Sequence, residues 1–331
     1  MTFDVISGKG AMVWRLREWE DGDPARQAAA CVQAGLSWIS IKVNDGTDFR
    51  WESESSFPNN QNEDLLPDTV AALREAGVVV IGWGYDYGRT PEVVRGGTPS
   101  ISKAHAEAAA VVAACAEYDI WHYQIDAQTP YRGDGMGPVA EAFIQRLNRD
   151  APLVEYSLCS YRYPLTHQPD FPVRIFAPLL DSWCPQVYFL EDNRADAGFL
   201  QTQTSYVQHQ SIASLPYFPI FPTYQWVNPV SREPWRASYA QLIHSFAGAF
   251  ALGLPAAGVW DLPQADAEQL AAIADFEWPE PEEPPPGPVP GDLAERIRVL
   301  ADELGVKESV HGETVESFVQ ELLSIADELD T

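Results

Sequence analysis

Eight times in about 275 residues, a short run rich in β-branched and aromatic residues gives way to a segment with helical periodicity. The expected strands are Ala11–Trp14, Trp38–Val43, Val78–Tyr85, Trp121–Asp126, Leu153–Ser157, Cys184–Tyr188, Tyr217–Tyr224 and Gly258–Asp261. The expected helices are Pro24–Ala34, Leu65–Ala76, Ser102–Glu117, Pro138–Asn148, Val173–Leu180, Ala195–Ile212, Arg236–Leu252 and Ala265–Ala274. A helix between two strands lets them lie parallel, because it returns the chain to the end where it started. Eight such units predict an α/β fold, a (β/α)8 barrel of TIM type, ahead of a doubly wound open sheet. No GxGxxG or GxxxxGK[ST] follows an early strand, so no nucleotide-phosphate loop is expected.

The alternation stops at Trp278. Residues 279–291 form an expected linker, because Pro279 to Pro290 hold seven prolines, three glutamates and one glycine. Such a run supports neither a helix nor a central strand. Residues 292–331 read as two acidic amphipathic helices, with Leu293, Ile297, Leu300 and Leu304 on the first and Val315, Phe318, Leu322 and Leu329 on the second. They are too small to fold alone and are expected to dock on the main domain, to self-associate or to bind another protein. Residues 1–278 are then one barrel domain.

The formal charge of −27 excludes nucleic acid and anionic membranes as partners, since both need clustered Lys and Arg. A neutral polar ligand is compatible with it. The four cysteines are far apart in sequence and are expected to be reduced, and the six histidines show no ligand spacing. No metal and no cofactor is therefore expected. No signal-peptide pattern and no apolar stretch of transmembrane length occurs, which implies synthesis in the cytoplasm and leaves phage association or another exit route open.

Reactive groups of a barrel sit at the C-terminal ends of its strands. Side chains alternate along a strand, so each strand can be sorted by face. In the fourth strand, Trp121, Tyr123, Ile125 and Ala127 suit packing against helices, which turns His122, Gln124, Asp126 and Gln128 inward. Four inward polar side chains are costly unless they bond one another or a ligand. The second strand turns Ser40, Lys42 and Asn44 inward, and Lys42 needs a carboxylate there, with Asp126 and Glu155 as candidates. The expected rim combines Trp14, Trp83, Tyr85, Tyr156, Tyr161, Tyr188, Tyr224, Trp226 and Trp260 with Gln186, Asp86 and Asp261. Aromatic faces beside amides and carboxylates suit sugar rings, which offer apolar C–H faces and hydroxyl edges. The expected partner is thus a carbohydrate polymer. If such a site cleaves its ligand, Asp126 is the candidate for orienting or stabilising charge, with Glu155 or Asp86 as acid/base.

Two segments carry a resemblance to a known family. Ile41-Lys42-Val43-Asn44-Asp45-Gly46-Thr47-Asp48-Phe49 resembles the second-strand segment of the family 25 glycoside hydrolases, the lysozyme-type muramidases. Ile125-Asp126-Ala127-Gln128 falls where those enzymes carry L-D-x-E, and chitinase-like family 18 barrels also end strand four in D-x-E. The resemblance implies a glycoside-hydrolase barrel acting on an amino-sugar polymer such as peptidoglycan or chitin. Two departures oppose activity: no acid ends the first strand, and the glutamate expected as proton donor is Gln128. The alternative is a non-catalytic glycan-binding or assembly protein of a phage particle or cell envelope.

Overall fold

The computed structural model describes residues 6–48, 65–92 and 96–279. The expected linker beyond Pro279 and the two tail helices lie outside the described residues. Eight parallel strands make one sheet: β1 (Gly8–Val13), β2 (Trp38–Asp45), β3 (Val79–Asp86), β4 (His122–Ala127), β5 (Glu155–Leu158), β6 (Ser182–Trp183), β7 (Ile220–Pro222) and β8 (Ala256–Trp260). The sheet runs β6-β5-β4-β3-β2-β1-β8-β7. Bridges Trp183–Tyr217 and Gln186–Ile220 join its two outer strands and close the ring. This is the (β/α)8 barrel that the alternation predicts.

Each strand is followed by a helix: α1 (Pro24–Gln33), α2 (Leu66–Glu75), α3 (Ile101–Glu117), α4 (Met136–Asp150), α5 (Val173–Phe176), α6 (Ala197–Gln210), α7 (Tyr239–Ala251) and α8 (Ala267–Asp275). Several helix starts are written locally. Asp23 accepts the N–H groups of Ala25 and Arg26 ahead of Pro24, Ser100 accepts from Lys103, and Asp266 and Gln269 form a reciprocal capping box. Lys9, on the outward face of β1, donates to Ala34 O at the end of α1 and to Ile273 O in the last turn of α8. A buried ammonium is thereby matched to two helix C-termini.

The barrel interior is packed with side chains. Met12, Trp38, Ile81, Trp83, Cys159, Cys184, Phe218, Ile220 and Ala256 form one buried cluster. Trp38 fits because its neighbours are glycines. A Cβ on Gly10 would lie 2.0 Å from its ring, and one on Gly258 would lie 2.5 Å away. These inward glycines give the space of two side chains to one indole. The lower barrel is thus sealed, which leaves the opposite end as the place for a ligand.

Among the described residues no helix is long and apolar enough to cross a membrane. No group of three or more His, Cys, Asp or Glu is placed to hold a metal ion among them.

Candidate functional site

The C-terminal ends of the strands converge on Asp126. Its carboxylate Oδ1 accepts from Gln128 Nε2 at 2.5 Å and from Gln186 Nε2 at 3.1 Å. Asp126 is 6% exposed, and burial pushes its carboxyl up to about 7 against the opposing pull of Gln128, Lys42 and Gln186. Lys42, also buried, gives its ammonium to Asp45 Oδ2 at 2.7 Å, while Tyr87 donates to Asp45 Oδ1 at 2.8 Å. Burial lowers the Lys42 pKa, and Asp45 and Asp126 oppose that. Its ammonium also lies 5.2 Å from the Trp83 ring centre and 5.9 Å from that of Trp14. The result is a polar floor of alternating charge: Asp45, Lys42, Asp126.

Aromatic walls surround this floor. Trp83 meets Trp260 edge to face at 4.9 Å, Tyr85 meets Tyr87 at 5.1 Å, and Tyr188 meets Tyr224 at 5.6 Å. Trp14, Tyr85, Tyr188, Tyr224 and Trp260 are half-buried, so each keeps accessible surface. Tyr161 bridges to Gln186 across the strand ends and shares a 3.1 Å hydrogen bond with Thr129. Beneath Asp126, Gln124 is fully buried and donates to Cys184 Sγ at 3.0 Å. It supports the floor and does not line the opening.

Lys42, Tyr85, Asp126, Gln128, Gln186, Tyr188, Tyr224 and Trp260 are therefore brought to the mouth. Asp261 follows Trp260 but is 1% exposed, accepting the Trp14 N–H at 3.2 Å and Gln264 Nε2 at 3.0 Å. Burial raises its carboxyl to about 6. It ties the ends of β1 and β8 together.

Four sequence-derived positions fall elsewhere. Glu155 opens β5 and pairs in register with His122, the first residue of β4. Asp126 lies four residues further along β4, about 13 Å away at strand rise. Glu155 instead contacts His122 Nδ1 at 3.3 Å near the closed end, so it is neither Lys42's partner nor an acid/base for Asp126. Tyr156 faces the helices, its hydroxyl donating to Leu147 O and Ala151 O at 3.3 Å each. Asn44 faces the same way, because a bulge between Lys42 and Asn44 breaks the alternation. Its Oδ1 accepts from the Tyr123 hydroxyl, and a Cβ on Gly84 would lie 2.1 Å from it. Asp86 ends β3 on the helix-facing side and is fully buried. Burial, then the nearby Glu107 carboxyl of α3, pushes its pKa well above the carboxylate range. It is behind the mouth, not in it.

Sequence reading also missed the partner of Lys42. Asp45, three residues past Lys42 and at the end of the same strand, is the carboxylate that neutralises it. Arg162, just beyond β5, lies half-buried with its guanidinium 5.2 Å from the Tyr163 ring centre.

No family model and no curated protein matches the sequence. Solved structures do match the fold. An endoglucanase, Cel5A of Pseudomonas stutzeri, is 13% identical with a TM-score of 0.56, over 85% of this chain and 97% of that one. The spore cortex-lytic enzyme SleL of Bacillus cereus is 7% identical with a TM-score of 0.56, over 81% of this chain and 73% of that one. A class V chitinase mutant of Cycas revoluta in complex with (GlcNAc)3 is 11% identical with a TM-score of 0.56, over 81% and 99%. These neighbours are not family 25 muramidases. The family 25 resemblance therefore reduces to a remote likeness among glycoside-hydrolase barrels.

Proposed function

We propose that the barrel mouth binds a chain of amino sugars and that the protein recognises this chain without cleaving it. One observation carries the reading: the residue two beyond Asp126 is an amide, and its Nε2 is bonded to Asp126. Barrel glycosidases need a carboxyl group that delivers a proton to the glycosidic oxygen. An amide cannot deliver one. Gln128 and Gln186 together can hold Asp126 as a fixed acceptor for a sugar hydroxyl or an acetamido N–H. Trp14, Tyr85, Tyr188, Tyr224 and Trp260 supply flat apolar faces around it. The fold is shared with a chitinase complexed with (GlcNAc)3 and with a spore cortex-lytic enzyme, which supports an amino-sugar polymer as the ligand class.

A second reading, hydrolysis, is favoured by a different observation. Burial holds Asp126 at about 7, where a carboxyl can both give and take a proton at neutral pH. Binding to chitin and peptidoglycan, measured together with release of reducing ends, separates the two. Recognition predicts retention on at least one polymer, loss of retention with Asp126→Ala, and no new reducing ends. Release by the wild type that vanishes with Asp126→Ala establishes hydrolysis instead. Absence of both binding and release sinks both readings.

A further inference from the structure

The four cysteines are all buried free thiols, and two of them stand side by side. Cys159 directly follows β5, and Cys184 directly follows β6. These strands pair in parallel with Ser157 opposite Ser182 and Leu158 opposite Trp183, and the same offset returns where Tyr161 meets Gln186. Cys159 is therefore opposite Cys184, a register held by the bond from the Cys184 N–H to Leu158 O at 3.0 Å. Both side chains belong to the one buried cluster inside the barrel. Neighbouring strands lie about 4.7–4.9 Å apart, within the roughly 4.4–6.8 Å that a disulfide spans between Cα atoms. The other two thiols, Cys31 on α1 and Cys115 on α3, sit on separate helices.

The pair lies directly beneath the mouth. Ile125 is opposite Leu158, which puts Asp126 beside Cys159 at one height of the barrel. Gln186 Nε2 is shared between Asp126 Oδ1 at 3.1 Å and Cys159 Sγ at 3.7 Å, while Gln124 Nε2 donates to Cys184 Sγ at 3.0 Å. Two residues further along each strand stand Tyr161 and Gln186, both half-buried. One strand repeat of about 6.5 Å thus separates the thiols from groups that reach solvent. An oxidant the size of water has only that layer to pass.

We infer that Cys159 and Cys184 form a reversible dithiol–disulfide site, oxidised by a peroxide that enters through the mouth. The Cys159 thiolate attacks one peroxide oxygen, the O–O bond breaks, and the departing hydroxide takes up the thiol proton and leaves as water. The Cys184 sulfur then attacks the sulfenic sulfur of Cys159. An S–S bond forms, the S–O bond breaks, and a second water carries off the Cys184 proton. Two electrons pass from the thiols to the peroxide. Burial pushes the Cys184 thiol well above its ordinary value, which assigns it the second, resolving role. Drawing Cys159 Sγ onto Cys184 takes it from Gln186, so the amide that fixes Asp126 loses one of its two acceptors. The effect of oxidation on binding rests on the reading of the mouth as a glycan site, whereas the disulfide itself does not.

The test treats the native full chain with hydrogen peroxide and reads it by thiol count, peptide mapping and titration with chitotetraose and a GlcNAc–MurNAc tetrasaccharide. Two of the four thiols should be lost, with the Cys159 and Cys184 peptides joined, Cys31 and Cys115 still reduced, and full reversal by dithiothreitol. Affinity for the sugar that the reduced chain binds should fall by about two- to tenfold and recover on reduction. In Cys184→Ser the first step should be caught alone, with Cys159 trapped by dimedone as a sulfenic acid. Four intact thiols after peroxide treatment of the native wild type, or a disulfide joining any other pair, overturns the inference. A Cys159–Cys184 bond that leaves sugar affinity unaltered overturns its coupling to the mouth. A Cys159–Cys184 bond in a chain that binds neither sugar in either state upholds the redox site and overturns the glycan site instead.

Discussion

Asp126 is the residue from which the properties of the mouth follow. Its carboxyl is held at about 7, so its charge changes within the physiological range. If the charged form accepts a sugar N–H or O–H, affinity should rise with pH through about 7 and level off above it. Titrations between pH 5.5 and 8.5 check this, and Asp126→Asn should both weaken binding by about tenfold and flatten the profile. Behind β3, Asp86 and Glu107 form a buried acidic pair. Burial raises Glu107 to about 8, although the N–H groups of Tyr87 and Gly88 oppose that. The unfolded chain releases this proton near the ordinary glutamate value and the folded chain holds it to about 8. The stability so gained is complete at low pH and is lost as pH rises through about 8. Melting curves from pH 4 to 9 should show that decline, and Glu107→Gln should reduce it and raise the melting temperature at pH 8. An unchanged slope would contradict the assignment. At this scale the period-two pattern of His122, Gln124 and Asp126 was enough to place them inside. It failed at Asn44, because a bulge turns the strand and no residue pattern in Lys42-Val43-Asn44-Asp45 announces one. It failed for Glu155 for a different reason. The pattern gives a face, not a height, and height depends on which strand end reaches the mouth.

The strands and helices were legible as elements because each apolar run is punctuated by caps and turns. Their lengths were less so. The sixth and seventh strands read as Cys184–Tyr188 and Tyr217–Tyr224, but the regular ladder holds only Ser182–Trp183 and Ile220–Pro222. Pro185, Pro216 and Pro219 lack the N–H that a central strand needs, so pairing beside them continues only as isolated bridges. The sealed end of the barrel gives a prediction of its own. Gly10→Ala drives a methyl into the Trp38 ring, which is fully walled in. The substitution should cost about 1–3 kcal/mol or more of unfolding free energy in urea. Gly77→Ala serves as a control for the clash, since nothing lies within 4 Å of a Cβ at Gly77, though its φ of 79° carries a backbone cost of its own. A Gly10→Ala protein as stable as the wild type would show that the barrel floor is loosely packed.

For the molecule as a whole, every barrel strand and its helix lies between Gly8 and Asp275. Removing residues 279–331 should therefore leave melting temperature and ligand affinity nearly unchanged. A truncated chain that no longer folds would tie the tail to the barrel core. The segment from residue 276 onward carries 15 acidic and 3 basic residues, so nearly half of the net charge belongs outside the barrel. At the mouth the balance differs: Lys42 pairs with Asp45 and opposes the charge of Asp126. Whole-chain charge averages over these local groups, so it bears on the ligand less than the residues of the mouth do.

The central claim is that the barrel mouth holds an amino-sugar chain on Asp126 without cutting it. It is tested most directly by incubating the full chain with chitotetraose and the GlcNAc–MurNAc tetrasaccharide, and measuring bound ligand and chain length on the same samples. The account predicts saturable binding of at least one, at least tenfold weaker binding with Asp126→Ala, and intact tetrasaccharides throughout. Shortened products that depend on Asp126, or no binding of either sugar, would contradict it.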